Sequence, residues 1–302
     1  MERRGRPGVL CEIVEGGRVM SESSWEGASG TKWARNQART DAQLGPLSDG
    51  ALRMLELREG DRVLDVGCGT GQTLIQLREL VGQTGRVIGV DISPPMLEGA
   101  RARIREKGYD NVELLLGDAS IERLSAPVDA IFSRFGVMFF DDPVAAFRNL
   151  LGALRPSGLL SFVCWQPLER NAWALEPMQA VREVAPEAPL PVLLREGEPG
   201  PFRFGDDLYV KEVLTSAGFS DVQIDPERKE MVLGGAKTLE EAVEFALEIG
   251  PAARMVAEVD PVLIPAVRQN LERVFAQRLT ERGVIYEAAT YVVTARAPSA
   301  SR

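Results

Sequence analysis

The stretch Val63-Leu64-Asp65-Val66-Gly67-Cys68-Gly69-Thr70-Gly71 decides the fold of this chain. Val63 to Val66 is an apolar strand core that runs directly into three alternating glycines. Leu74, Ile75, Leu77, Leu80 and Val81 then recur at helical spacing. A buried strand, a glycine turn and a helix N-terminus together present backbone N–H groups to a ligand. Glycine suits the turn because φ there is positive and a Cβ would hold the ligand away.

The same alternation repeats outward from this stretch. Arg86 to Asp91, Asn111 to Leu116, Val128 to Ser133 and Leu159 to Trp165 read as further buried strands. Ser93-Pro94-Pro95 and Asp142-Pro143 open the helices between them. Upstream, Trp33 to Leu44 and Leu47 to Leu55 predict two helices separated by Pro46. Downstream, helices are expected at 171–183 and from Asp206-Asp207 to Gly218, with a short strand at 222–224. The capping box Thr238-Leu239-Glu240-Glu241 opens a helix ending near Gly250-Pro251. Asp260-Pro261 opens a long helix closed by Gly283, and Val284 to Ala295 is the last strand. The prediction is an α/β fold: a doubly wound, Rossmann-like, seven-stranded, mostly parallel sheet with a helical cap. One domain is expected over 25–302, capped by the N-terminal helices at 31–58 and by the helical insert 234–282. Residues 1–24 lack periodicity and are expected to form a disordered tail, and Met20 reads as an alternative start.

Composition narrows the function. The 302 residues are 45% hydrophobic and 26% charged, which fits a globular domain. A net charge of −9 and a pI near 4.9 count against a nucleic-acid partner. No apolar run is long enough for a membrane span, and no secretory signal is recognisable. Cys11, Cys68 and Cys164 match no zinc or disulfide spacing, so a reducing, cytoplasmic setting is expected. The chain contains no histidine, which removes the commonest general base and a common metal ligand; no metal site is expected. Asp141, Asp142, Glu169, Tyr286 and Glu287 are the remaining base candidates. Spacing singles out none of them, so the catalytic residues stay unassigned.

Three acids sit at strand ends: Asp65 before the glycines, Asp91 after the second strand, Asp118 after the third. Asp91 lies 24 residues after Gly67, near the spacing of an acid that accepts ribose hydroxyls. A dinucleotide fingerprint needs glycine at position 72, where this chain has Gln72. The third glycine is Gly71 instead, and a carboxylate at Asp65 suits an amine better than a phosphate. The loop therefore points to a ligand with a ribose and an ammonium but no pyrophosphate, which describes S-adenosylmethionine (SAM).

Asp65 to Gly71, Val87-Ile88-Gly89-Val90-Asp91 and Gly117-Asp118-Ala119 resemble the successive motifs of class I SAM-dependent methyltransferases. The likeness is to the small-molecule group called UbiE-like or type 11. It extends through Val128 to Ser133 and Arg155-Pro156-Ser157-Gly158, strongly over 61–165, and from Gly200 to Phe219 beyond. The resemblance implies that Asp65, Gly67, Cys68 and Gly69 surround the methionine part of SAM. It implies Asp91 on the ribose, Ile92 and Met96 beside the adenine, and Asp118 and Ala119 on the adenine edge. Ser133 and Arg134 would pass close to the sulfonium. Read from their position, Trp33 and Gln37 lie over the cofactor from the N-terminal helix, or Trp33 simply packs; the sequence leaves both open. The implied reaction is methyl transfer to the O, C or N of a small organic acceptor. Phe135, Val137, Met138, Phe139, Phe140 and Trp165 near the strand ends suggest a partly apolar acceptor pocket, with core packing the favoured reading of Phe139 and Phe140. Two other readings use the same fold: an NAD(P)-dependent oxidoreductase, and a SAM-binding regulator without turnover.

Overall fold

The computed structural model describes residues 25–123, 127–190 and 198–299. The expected tail at 1–24, with Met20 and Cys11, lies outside the described residues.

Strand β1 (Arg62–Val66) is buried from Val63 onward, as a strand covered on both faces must be. It pairs in parallel with β2 (Arg86–Asp91) on one side and β4 (Val128–Arg134) on the other. β3 (Val112–Leu116) lies beyond β2, and β5 (Leu154–Trp165) beyond β4. β8 (Gly283–Arg296) runs antiparallel to β5, and β6 (Ser220–Val232) antiparallel to β8 at the edge. The order is β3-β2-β1-β4-β5-β8-β6, with the two-residue β7 (Leu279–Thr280) folded back onto the start of β8.

Connections from β1 step towards β3 through α4 (Gln72–Val81) and α5 (Pro94–Lys107). The connection from β4 steps the other way, through α6 (Pro143–Ala153). Right-handed crossovers in opposite directions put these helices on opposite faces and open a crevice between β1 and β4. On the α6 face, Phe147 packs 5.7 Å from Phe162, 5.8 Å from Phe140 and 6.4 Å from Phe219 between ring centroids. The helix α8 (Asp207–Ala217) closes that side.

Several boundaries differ from the sequence reading. The N-terminal pattern is two helices, α1 (Ala28–Arg35) and α2 (Gln37–Leu44), broken at Asn36, followed by α3 (Asp49–Met54). The side-chain amide of Asn36 competes with the helix backbone there, donating to the Lys32 carbonyl at 3.0 Å as well as to Glu248 at 2.7 Å. The expected short strand at 222–224 is β6, with 13 residues. Pro226 and the charged run Glu227 to Glu230 conceal it, and both suit an edge strand whose outer side faces water. The helix expected to run from Asp260-Pro261 to Gly283 is α11 (Ile264–Ala276), because β7 and β8 take the residues after it as a tight hairpin. A further helix, α10 (Pro251–Val256), follows α9 (Leu239–Glu248); Pro251 at its first position starts it where the sequence reading stopped. Together with α7 (Ala172–Val184), the helices α9, α10 and α11 pack on one another beside the crevice. Among the described residues no helix is long and apolar enough to cross a membrane.

The capping box at Thr238 is complete. Its hydroxyl accepts from the Glu241 N–H at 3.2 Å, and the Glu241 carboxylate accepts from the Thr238 N–H at 3.3 Å. Thr238→Ala is expected to lower stability by about 1 kcal/mol in urea denaturation, whereas Thr238→Ser stays near wild type. Equal losses in the two variants would show that the hydroxyl is not holding α9.

Candidate active site

The glycine loop is built as its sequence demands. Gly67, Gly69 and Gly71 all have positive φ, at 69°, 55° and 84°. A Cβ on Gly67 would lie 3.0 Å from the Gly136 Cα, and one on Gly69 would lie 3.0 Å from the Met96 methyl. The loop is thus both left-handed and crowded from below, so that it offers bare backbone to the cleft above.

The two acids nearest the loop play different parts. Asp91, at the end of β2, accepts from the Gly69 N–H at 2.8 Å and from the Ser93 N–H at 2.9 Å, one on each oxygen. Each oxygen keeps a lone pair, so the carboxylate fixes the loop and can still accept. Burial raises its pKa, against the pull of those N–H groups. Asp65 is fully buried under the loop. The Thr73 hydroxyl donates to one of its oxygens, and the other has no partner. Burial pushes the Asp65 carboxyl up to about 7, opposed by Thr73 and the charge of Arg134. At the end of β3, Asp118 accepts from the Ser120 N–H at 2.9 Å, and the Ala119 carbonyl accepts from Asn149 at 3.1 Å.

Arg134, at the tip of β4, ties the N-terminal helices to the sheet. It donates to Gln72 and pairs with Asp41 of α2 at 3.6 Å, while Arg103 of α5 takes the other Asp41 oxygen at 2.7 Å. Burial lowers the Arg134 pKa, and the carboxylates of Asp41 and Asp65 oppose that. One residue on, Phe135 has φ of +57°, a left-handed conformation that costs a bulky residue about 1–2 kcal/mol. It is held there by its N–H, which donates to Val163 at 3.0 Å, and by its ring, stacked on Trp165 at 4.3 Å and 12°. Trp165 in turn meets Trp173 at 4.7 Å.

A single cleft of about 270 Å³ joins these parts. Gly67, Cys68, Gly69, Asp91, Ile92, Met96, Asp118, Ala119 and Arg134 line it, as does Trp33. Asp65 and Ser133 are not on its wall. Ser133 is buried because its hydroxyl donates to the Val66 carbonyl at 2.8 Å and accepts from the Gly136 N–H at 3.3 Å. It joins two strand tips. Gln37 is likewise absent from the wall. The Cys68 side chain turns away from the loop and packs under Gly89.

Of the five base candidates, Asp141 lines the cleft. Asp142 caps α6, accepting from the Ala145 N–H at 2.9 Å. Tyr286 is buried and donates to Glu176 at 2.9 Å; Glu169 and Glu287 are exposed. Asp41, Trp173 and Arg254 also line the cleft and carried no motif. The available signal for Asp41 was its place on one helical face with Gln37, Thr40 and Leu44. Nothing comparable marked Arg254.

Known proteins share both this sequence and this shape. The sequence profile of a family described as a methyltransferase domain matches residues 57–184. Nocamycin O-methyltransferase from Saccharothrix syringae is 31% identical over 204 residues, covering 64% of this chain and 71% of that enzyme. Aklanonic acid methyltransferase from a Streptomyces species (strain C5) is 36% identical over 114 residues, 36% of this chain and 52% of the relative. Phosphoethanolamine N-methyltransferase 2 from Haemonchus contortus, solved in complex with S-adenosyl-L-methionine, shares the fold, with a TM-score of 0.56 at 17% identity. That likeness covers 92% of this chain and 59% of the other. A nicotinamide-dependent oxidoreductase is thereby set aside. The chain belongs to the class I SAM-dependent methyltransferases, and SAM is its cofactor.

Proposed function

We propose that SAM lies across the carboxyl ends of β1 to β4, and that a small organic acceptor meets it from the apolar end of the same cleft. The observation that carries this reading is the glycine cradle with an unsatisfied acid beneath it. A buried carboxylate oxygen without a partner is costly, and an ammonium brought near it offsets that cost. In this reading Asp65 and the backbone of Gly67, Cys68 and Gly69 serve the methionine part. Asp91 keeps acceptor capacity for ribose hydroxyls, Ile92 and Met96 flank the adenine, and Asp118 and Ala119 meet its polar edge. Arg134 holds the wall beside the reacting centre, and Ser133 supports that wall from behind.

Bound SAM supplies a methyl group already activated on a sulfonium. The chain has to bind the acceptor, aim it and keep water out, and proximity of this kind supplies much of a rate enhancement. Phe135, Phe139, Phe140, Trp165 and Trp173 give the cleft an apolar wall suited to that task. The N-terminal helices over 31–58 and the insert 234–282 form the cap in this proposal. Two contacts support it: Asp41–Arg134 joins the N-terminal helices to the cleft's rim, and Asn36–Glu248 joins them to the insert. Asp141 is the acid at hand if the acceptor must lose a proton; an acceptor already ionised needs no base. The acceptor atom is O, C or N. Relatives named for nocamycin and for aklanonic acid support a small-molecule acceptor, and the net charge of −9 supports it over a nucleic acid. A cytoplasmic setting belongs to the same proposal, supported by two buried free cysteines.

Asp91→Ala is expected to weaken S-adenosylhomocysteine binding by at least about tenfold in calorimetry. Unchanged affinity in a folded variant would remove Asp91 from the cofactor site. The Asp65 carboxyl gives a second test. A bound ammonium favours its ionised form, so binding releases a proton below about 7 and affinity grows with pH. Affinity for S-adenosylhomocysteine should rise from about pH 5 to about pH 7, by up to about tenfold per unit, then level off. In Asp65→Asn the slope should be shallower. A flat wild-type profile would contradict the role given to Asp65.

A further inference from the structure

The part of the cleft wall supplied by α7, α9 and α10 is apolar: Trp173, Ala174, Pro177, Phe245, Ile249 and Ala252. Arg254, in the last turn of α10, is set among these residues. It makes no hydrogen bond and no ion pair with any described residue. Arg134, the other guanidinium on the wall, is by contrast paired with Asp41 and Gln72. The α10 carbonyls give Arg254 no more than the weak field of a helix end. Burial draws its pKa down, and no carboxylate opposes the shift. A guanidinium stays charged in a protein, so this one cannot escape the cost by losing its proton. Partly desolvated beside hydrocarbon, it is stabilised by an anion that arrives with the ligand. Its planar fork of donors matches a carboxylate better than an ammonium would.

We propose that the acceptor is an organic acid with an apolar, ring-sized body, and that Arg254 holds its carboxylate and so determines specificity. This rests on the reading of the cleft as the methyl-transfer site. The aromatic wall takes the body, and the lone cation of the α7–α9–α10 wall takes the charge.

The test uses the full chain saturated with S-adenosylhomocysteine and two probes of one shape, 2-naphthoate and 2-naphthamide, followed by calorimetry. Wild type should bind the acid at least about tenfold more tightly than the amide. Arg254→Met, close in volume and uncharged, should bring the two within about twofold, and Arg254→Lys should keep part of the preference. Unchanged S-adenosylhomocysteine affinity in both variants shows that the fold is intact. Equal binding of acid and amide by wild type, binding of neither, or a preference that survives in Arg254→Met would overturn the proposal. S-adenosylhomocysteine is titrated first and alone. Its failure to bind strikes the cofactor reading and this proposal with it, whereas a missing acid preference with the cofactor product bound strikes this proposal alone.

Discussion

Where β1 and β4 part, two backbones touch. The Ser133 hydroxyl bonds the Val66 carbonyl, and Gly136 passes so close that a Cβ on it would lie 2.7 Å from that oxygen and 3.2 Å from the Gly67 Cα. Much else depends on this contact. It fixes the floor of the crevice, so the glycine loop has to bend upward, and positive φ at Gly67, Gly69 and Gly71 is the result. It also fixes the direction of the chain after β4. Arg134 and Phe135 leave that junction toward the cleft, and the left-handed turn at Phe135 is held by partners on both sides. Strain persists where the surroundings over-determine it, and such places gather at functional sites.

Above this floor lies an unusual density of buried charge. Asp65, Asp91, Arg134, Asp41 and Arg103 stand within one connected neighbourhood. Apolar residues of similar size would stabilise the fold as well or better. The charges are arranged so that each cation has an acid, while one acid oxygen is left over. Stability is held below its maximum there, and the difference is available to a ligand.

The inner strands β1, β2, β4 and β5 were legible because each is covered on both sides, and the partly exposed edge strand β3 because of its run of leucines. Val63 to Val66 and Val128 to Phe132 are near-continuous apolar runs bounded by glycine or proline. The edge strand β6 was hidden because water covers one side of it, and charged residues there report solvent and not the sheet. The site divided the same way. Gly67, Gly69, Asp91 and Asp118 follow strands at fixed offsets, so sequence order alone places them at one crevice. Ser133 shares that offset yet turns away, since the β1–β4 contact claims its hydroxyl. Asp41 and Arg254 come from helices far apart in the chain, and their meeting at the cleft is a matter of tertiary packing that no spacing records.

The tie between Asn36 and Glu248 spans 212 residues. Chain synthesis therefore separates the two halves of the site in time. The five parallel strands and the glycine loop lie before Gln166, yet their pairings are long-range: Val63 pairs with Ala130, and β5 waits for β8 as its other neighbour. The part of the cleft wall that α9 and α10 supply emerges much later, and its closure carries the entropy of a long loop. Trp165 keeps an open side until α7 brings Trp173 and β8 pairs with its backbone. Apolar surface left open over such an interval favours aggregation, and a ligand that binds only the closed form favours the compact state.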